Sequence, residues 1–136
     1  MDSSPATRFQ FIRDFLTALE RAATGEALAR FYTEDAEQVE LPNQLNPKGG
    51  RSNLARLLQR AETVPSLLQR QHYEIHSMIA QGDTAAVEAT WTGVLAVPLQ
   101  AQPVGSTLKA HFAIFFEFRD GRIHRQRNYD CFEPWD

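Results

Sequence analysis

A histidine and an aspartate near the end of the chain are the two residues whose types and spacing best suit acid/base chemistry. The dipeptide Asp120-Gly121 favours a two-residue hairpin turn, which fixes the residues that oppose each other in the flanking strands. Counted outward from that turn without a bulge, His111 opposes Asp130 on one face. Because opposed Cβ atoms lie about 4.5–5.5 Å apart, we predict that His111 and Asp130 form a catalytic pair that works near neutral pH.

A structural role is the alternative for this pair, because oppositely charged residues often face each other across neighbouring strands. His72 and His76 lie four residues apart on a strand, roughly 13 Å, too far for two ligands of one metal ion. We therefore expect no metal site. Cys131 follows Asp130, whose carboxylate opposes thiolate formation, so we expect this cysteine to pack rather than react.

Other motifs for ligands and partners are weak. The sequence holds no Walker loop, Rossmann glycine fingerprint or nucleophile elbow, so we expect no cofactor. Trp91 and Gly93 suit the wall of an apolar pocket, although core packing explains Trp91 equally well. Four arginines lie in the final hairpin among acidic residues, which indicates a solvated or dimer-facing surface rather than a nucleic-acid site.

Length, composition and charge restrict the class of protein. The chain has 136 residues, 43% of them hydrophobic, and a formal net charge of -3. This length suits one domain over residues 1–136 with a single core. The negative charge disfavours nucleic acid and anionic membranes as partners, and no apolar run reaches the roughly 20 residues of a membrane span. One cysteine and no signal-peptide pattern predict a cytoplasmic protein.

The elements that must position these residues follow from hydrophobic periodicity. Three N-terminal helices are predicted: one that begins with a Thr7–Gln10 capping box, a short one over residues 27–32 and one over 52–60. A short strand over 37–41 precedes the third helix. After residue 70 the period becomes that of strands, which are predicted over 72–80, 84–97, 107–119 and 122–130. Helices followed by antiparallel strands indicate an α+β fold with the helices on one face of the sheet.

The final hairpin carries a family resemblance in Phe116-Glu117-Phe118-Arg119-Asp120-Gly121-Arg122-Ile123, which leads into Gln126-Arg127-Asn128-Tyr129-Asp130. With the order of elements and Phe31-Tyr32-Thr33-Glu34-Asp35-Ala36, it resembles the NTF2-like superfamily, specifically its SnoaL-like group, over nearly the whole chain. The resemblance implies a cone of three N-terminal helices on a curved antiparallel sheet, an apolar pocket between them and frequently a homodimer. SnoaL-like polyketide cyclases use an aspartate on the last strand and a histidine on the strand before it, where Asp130 and His111 fall.

The resemblance and the register together predict a small, cofactor-independent enzyme that isomerises, cyclises or dehydrates a hydrophobic, carbonyl-bearing molecule. Asp130 would move a proton while His111 orients it or polarises a carbonyl. Trp91, Asn128 and Tyr32 would line the pocket. A non-catalytic small-molecule-binding or dimerisation module is the alternative, and an accessory domain recruited by another protein is a third, because the superfamily includes enzymes and binding proteins.

Two reactions of the superfamily are disfavoured by residues that this chain lacks. Ketosteroid isomerases use a tyrosine on a helix, whereas the first helix offers Phe9, Phe11 and Phe15. Limonene epoxide hydrolases carry an arginine and an aspartate two residues apart on a middle strand. This chain has Ala89-Thr90-Trp91-Thr92 there, so neither reaction is expected.

Overall fold

A six-stranded curved sheet is the framework of the computed structural model, which describes residues 3–135. The strand order is β2-β1-β6-β5-β4-β3. All neighbouring strands are antiparallel except β1 and β6, which run parallel. The strands are β1 Tyr32–Glu40, β2 Gly50–Asn53, β3 Leu68–Gln81, β4 Thr84–Leu95, β5 Thr107–Arg119 and β6 Arg122–Phe132. The predicted α+β class and NTF2-like cone are confirmed, and the single parallel pair is the departure from an all-antiparallel sheet.

Four helices lie in residues 3–135, one more than the sequence predicted: α1 Pro5–Glu20, α2 Glu26–Ala29, α3 Leu54–Ala61 and α4 Val64–Leu67. The additional helix, α4, is one turn long. Pro65 lies in the first turn of α4. Backbone N–H groups in a first turn have no partner within the helix, so a proline is tolerated there although it lacks an N–H. At the start of α1 the cap is Ser4, whose hydroxyl oxygen accepts from the Thr7 N–H. The predicted Thr7 cap is therefore wrong by one turn.

The core lies between α1 and one face of the sheet, called here the inner face. Ile12, Phe15 and Leu16 recur at helical spacing on α1 and are almost completely buried. On β5 every second side chain from Leu108 to Phe118 is buried, as expected for a strand with one face in the core. Phe15 makes an edge-to-face contact with Phe116 of this row. The same alternation sends the other β5 side chains to the opposite, outer face.

The hairpin between β5 and β6 begins as predicted and then changes register. Asp120 and Gly121 both have positive φ, as the two-residue turn requires. Phe118 opposes Ile123, but the next pair is Glu117 and Arg125. His124 is therefore an extra residue in β6, a β-bulge, and every later pair is displaced by one residue.

The displaced register separates the predicted catalytic pair. Asp130 opposes Phe112, and His111 opposes Cys131. His111 therefore lies on the outer face, with its side chain 56% exposed and its Nε2 2.8 Å from Glu133 Oε2. Cys131 is exposed there too, so the expectation that it packs in the core is wrong. The prediction that His111 and Asp130 adjoin each other is also wrong, because one bulge residue moves the two side chains to opposite faces.

Candidate active site

A cavity of about 380 Å³ lies between α1, α3 and the inner face of the sheet. Most of its lining is apolar or aromatic, which is typical of small-molecule sites. Leu19 and Leu57 come from the two helices, and Trp91, Phe112 and Phe132 come from the sheet. A minority of polar side chains interrupts this wall on one side. The cavity therefore offers an apolar enclosure with a localised polar edge.

Three groups of the polar edge come from β6, on which Gln126, Asn128 and Asp130 project onto the inner face. They follow each other at intervals of two residues, the period of a strand. The His124 bulge precedes them and sets their direction, because without the extra residue this alternation would point them outward. One inserted residue therefore turns these three polar groups of β6 toward the cavity.

Asp130 is the group in this cavity that is best suited to transfer a proton. Its Oδ1 is buried and has no hydrogen-bond partner among residues 3–135. Burial, and to a smaller extent the negative charge of Glu40, together raise the pKa of Asp130 to about 7. A carboxyl group with this pKa populates both its acid and its base form at neutral pH, which is the condition for efficient general acid/base catalysis.

A chain of hydrogen bonds fixes the side chains next to Asp130. The buried Tyr32 hydroxyl donates to Gln126 Oε1 over 3.1 Å, and Gln126 Nε2 donates to Asn128 Oδ1 over 2.8 Å. Gln38 Nε2 approaches the same Asn128 oxygen at 3.5 Å. Because two amide donors point at Asn128 Oδ1, the Nδ2 end of Asn128 is the end that a ligand can use.

A charged group from β1 and α3 borders the same cavity. Arg60 donates to Gln38 Oε1 over 2.9 Å, and its guanidinium lies 3.8 Å from Glu40 Oε1. Asn43 Nδ2 donates to the other Glu40 oxygen over 2.7 Å. Glu40 pairs with Asn128 across the parallel strands, so its carboxylate and that of Asp130 belong to neighbouring strands. Arg60 partly neutralises Glu40, whereas Asp130 forms no ion pair with any of residues 3–135.

Trp91 is held in one position on the opposite side of the cavity. Its Nε1 donates to Gln71 Oε1 over 2.9 Å, and Gln71 in turn donates to the Leu19 carbonyl over 2.8 Å. The indole stacks almost parallel on Phe112, with ring centroids 5.7 Å apart. Gly93 leaves room for this ring, since a Cβ there would lie 2.4 Å from an indole carbon. The indole therefore forms a fixed, flat wall.

Tyr73 brings a phenol to the cavity lining, beside Trp91 and Phe112. Burial raises the pKa of its hydroxyl above the ordinary value, and the nearby negative charge of Asp130 raises it further. The hydroxyl therefore stays protonated at any physiological pH and acts only as a neutral hydrogen-bond donor or acceptor.

The structure places four of the five predicted site residues at this cavity and the fifth elsewhere. Asp130, Asn128, Trp91 and Tyr32 line it. His111 does not, since it lies on the outer face. Sequence reasoning missed Tyr73, Gln126, Glu40 and Arg60, which also line the cavity. Gln126 could have been found, because the inner-face alternation that includes Asn128 and Asp130 also includes it.

Two further kinds of feature are absent from the described part of the chain. Among residues 3–135, no three His, Cys, Asp or Glu side chains form a cluster that could hold a metal ion. No helix in the same residues is both long and apolar enough to cross a membrane.

Comparison with known proteins gives the family. The SnoaL-like domain family matches residues 12–126. The chain belongs to this family. Strands β4 and β5 and Gln126 therefore lie inside the matched SnoaL-like region, whereas Asn128 and Asp130 come just after it. No significant match to a curated protein was found.

Several solved structures share the fold of this SnoaL-like protein. A proposed polyketide cyclase from Xanthomonas campestris pv. campestris is 22% identical, with a TM-score of 0.74, over 92% of this chain and 90% of the other. AclR, a proposed hydroxylase from Streptomyces galilaeus, is 17% identical, with a TM-score of 0.75, over 93% of this chain and 76% of the other. A proposed SnoaL-like polyketide cyclase from Jannaschia sp. CCS1 is 16% identical, with a TM-score of 0.73, over 96% and 90%. At these identities the likeness concerns the fold alone.

Proposed function

We propose that this SnoaL-like protein is a cofactor-independent enzyme that moves a proton on a hydrophobic, carbonyl-bearing small molecule. Asp130 is its acid/base group. The observation that carries this proposal is the buried Asp130 oxygen without a hydrogen-bond partner, in a mostly apolar cavity. Such an oxygen is costly to a folded protein unless a ligand or an ordered water molecule bonds to it. The proposed cyclases among the structural neighbours support the same class of chemistry.

The proposed reaction begins when the Asp130 carboxylate removes a proton from the carbon next to the carbonyl group. The C–H bond breaks, an O–H bond forms at Asp130, and the electron pair moves to the carbonyl oxygen as an enolate. In a substrate with a β,γ double bond, the enolate is conjugated and Asp130 returns the proton to the γ carbon, which moves the double bond and isomerises the substrate. In a substrate with a β-hydroxyl group, Asp130 protonates that group, the C–O bond breaks as the enolate electrons form the new double bond, and water leaves. A pKa of about 7 lets one residue serve as base and acid in turn.

Two neutral donors suit the enolate oxygen. The Tyr73 hydroxyl and the Asn128 Nδ2 both belong to the cavity lining, and neither carries charge that would compete with the ionisation of Asp130. Donors placed where negative charge develops lower the barrier most in an enclosed site that excludes water. Trp91 and Phe112 present stacked ring faces to a flat part of the substrate.

We also propose a homodimer and a cytoplasmic location. The dimer proposal rests on exposed apolar side chains of the outer face, where Ile79 is 66% exposed and Phe115 packs edge-to-face on Tyr129. Large apolar residues grouped on one exposed face mark an interaction surface. The location rests on the single cysteine of the sequence.

Hydrogen–deuterium exchange on acetophenone tests the catalytic proposal without knowledge of the natural substrate. Its methyl protons lie next to a carbonyl group, and ¹H NMR in D₂O follows their replacement. We expect the wild-type protein to accelerate this exchange and Asp130→Asn to lower the accelerated rate at least a hundredfold, the usual scale of general acid/base help. Asp14→Asn, a change on the exposed side of α1, is the matched control and keeps the wild-type rate.

Two other outcomes would decide against the proposal. Wild-type exchange no faster than in buffer, with binding of acetophenone still measurable, would favour the alternative of a non-catalytic binding module. Equal rates for the wild type and Asp130→Asn would remove Asp130 from the mechanism.

A further inference from the structure

A second cavity adjoins the one that holds Asp130. Its volume is about 440 Å³, and all of its eleven lining residues are apolar or aromatic. Leu45, Val64, Trp91 and Phe132 belong to the lining of both cavities. The two spaces therefore adjoin each other along these four residues. We call the second space the apolar compartment.

The apolar compartment has no polar group that would hold water. The one polar side-chain atom of its lining, Trp91 Nε1, already donates to Gln71 Oε1. Leu95 and Leu108 are almost fully buried, whereas Leu67 is 49% exposed and Val97 is 38% exposed. The exposed residues leave apolar surface that a ligand would remove from water.

Backbone hydrogen bonds hold one wall of the compartment in place. The loop between β4 and β5 covers the compartment, and backbone hydrogen bonds hold that loop at both ends. Ala96 N–H donates to the Leu67 carbonyl over 2.8 Å, and Gly105 N–H donates to the Leu95 carbonyl over 2.9 Å. In the loop itself Leu99 and Gln102 exchange two hydrogen bonds. A loop held in this way spares a ligand the cost of ordering it.

We propose that the apolar compartment binds an alkyl or other apolar extension of the substrate whose carbonyl end lies at Asp130. This inference rests on the proposed function, because it assigns the polar end of the molecule to the Asp130 cavity. The substrate class is therefore an elongated, amphipathic ketone or ester, polar at one end only. A compact carbonyl compound fills the first cavity and leaves the second empty.

The chemistry of the two cavities selects this occupant. The first offers Asp130, Asn128 and Tyr73 as hydrogen-bonding groups, whereas the second offers none. One molecule that satisfies both must have its polar atoms together and its apolar part extended. A second copy of this chain would need a protruding apolar segment without charge, and the outer face opposes this because Arg127 and Glu117 lie beside its apolar residues.

A series of alkyl phenyl ketones measures the contribution of the compartment. Acetophenone, butyrophenone, hexanophenone and octanophenone share the phenyl ketone and differ in chain length. Calorimetric titration of the wild-type protein should give an affinity that rises about fourfold per added methylene group until the compartment is filled. An affinity independent of chain length, or no binding of any member, would overturn the proposal.

Two valine substitutions distinguish binding in the compartment from non-specific association of the ketones with apolar surface. Val97 lines the compartment, whereas Val104, 52% exposed in the same loop, lines neither cavity. Val97→Trp should keep the acetophenone affinity and lose at least tenfold for octanophenone, while Val104→Trp keeps the wild-type series. Identical series in both variants would overturn the proposal. If Val97→Trp does not fold, Leu67→Trp fills the same space from a more exposed position.

A measurement on the wild-type protein needs no variant. Nuclear Overhauser contacts between the terminal methyl group of hexanophenone and the methyl groups of Leu95 and Leu108 would place the chain in the compartment. Contacts with outer-face residues alone would overturn the proposal. If Val97→Trp alters the oligomer size in light scattering while the ketone series stays flat, the compartment is a protein interface instead.

These readouts distinguish this inference from the proposed catalysis. Chain-length-dependent binding without α-proton exchange would support the compartment and overturn the catalytic proposal. Acceleration of acetophenone exchange, together with a ketone affinity that does not change with chain length, would support the catalytic proposal and overturn the compartment.

Discussion

The carboxyl group of Asp130 owes its proton affinity first to burial and second to the charge of Glu40. Replacement of Glu40 by Gln removes that charge while it keeps the size of the side chain. We expect Glu40→Gln to lower the pKa of Asp130, because one of two causes of its elevation is gone. If the carboxylate is the base, exchange activity rises with pH, and the midpoint of that rise moves to lower pH in the variant.

The pH profile of acetophenone exchange checks this expectation. Glu37→Gln is the matched control, since Glu37 lies on the same strand and pairs with Arg51 but does not line the cavity. The control should keep the wild-type midpoint. Equal midpoints in all three proteins would show that Glu40 does not act on the catalytic group.

Asp130 also makes the stability of the fold depend on pH. Its pKa in the folded protein is about 7, and that of an unfolded chain is about 3.9. The folded protein therefore binds more protons than the unfolded chain between these values, so stability falls as pH rises through this window. Asp130→Asn has no such ionisation. The free energy of unfolding of the variant, relative to wild type, should rise by about 2–3 kcal/mol from pH 5 to pH 8.

Urea unfolding at the two pH values measures this difference. The m-value must stay constant for the comparison to hold. A relative stability that does not change with pH would mean that Asp130 has an ordinary pKa in the folded protein.

His111 offers a test of the corrected register. Because its ring lies on the outer face and bonds Glu133, His111→Ala should keep at least half of the wild-type exchange rate, whereas Asp130→Asn loses it. A hundredfold loss in His111→Ala would contradict the register and restore the original pairing.

At the scale of elements, the β6 strand shows what the sequence could and could not predict. The hairpin turn, the four long strands and the helix-then-sheet order follow from periodicity and turn residues, and they are present. The bulge at His124 does not follow, because Ile123 is succeeded by the polar run His124-Arg125-Gln126-Arg127-Asn128. No apolar alternation marks which of these residues face inward. Tertiary packing therefore decides which face of the sheet Asp130 lies on, and the sequence pattern of β6 alone does not show it.

The bulge has contacts of its own that help to explain it. His124 Nδ1 lies 3.2 Å from the Thr33 hydroxyl and 3.5 Å from an Asp35 carboxylate oxygen. The pairing of β1 with β6 is irregular at the same place, between Tyr32 and Glu37. These partners lie about ninety residues earlier in the chain, so no local sequence pattern could have indicated them.

The close fit between Gly93 and Trp91 gives a prediction about β4. In Gly93→Ala the new methyl group would lie 2.4–2.5 Å from two indole carbons, so the ring must move from Phe112 and Gln71. We expect a loss of about 1–3 kcal/mol in the free energy of unfolding, the usual cost of overpacking. The indole also lines both cavities, so octanophenone affinity should change more than acetophenone affinity. Thr92→Ala, on the other face of the strand, is the control.

At the scale of the whole molecule, membership of the SnoaL-like family gives the cone-shaped fold but does not give the reaction. Solved neighbours with the same fold include proposed cyclases and a proposed hydroxylase, so the chemistry depends on side chains rather than on topology. The candidate residues that face inward could be predicted where a strand alternates regularly. Those that come from the end of a strand or from a helix, such as Glu40 and Arg60, could not, because the curvature of the sheet brings them to the cavity.

The outer face supplies the prediction about assembly. Ile79, Ala86, Phe115 and Arg127 oppose one another in a row across four strands, and Phe115 remains 38% exposed. If a second copy covers this row, Phe115→Arg places an unpaired charge in the interface and shifts the mass measured by light scattering from dimer to monomer. Val104→Arg, in a loop away from the row, should leave the mass unchanged. A wild-type protein that is monomeric at 100 µM would contradict the proposed homodimer.

The ionisation of Asp130 itself is the most direct test, because every catalytic step above depends on it. An NMR titration of the ¹³Cγ resonance of Asp130, assigned by comparison with Asp130→Asn, measures it without a substrate. The account predicts a midpoint near pH 7. A midpoint near pH 4, the ordinary value for aspartate, would contradict it.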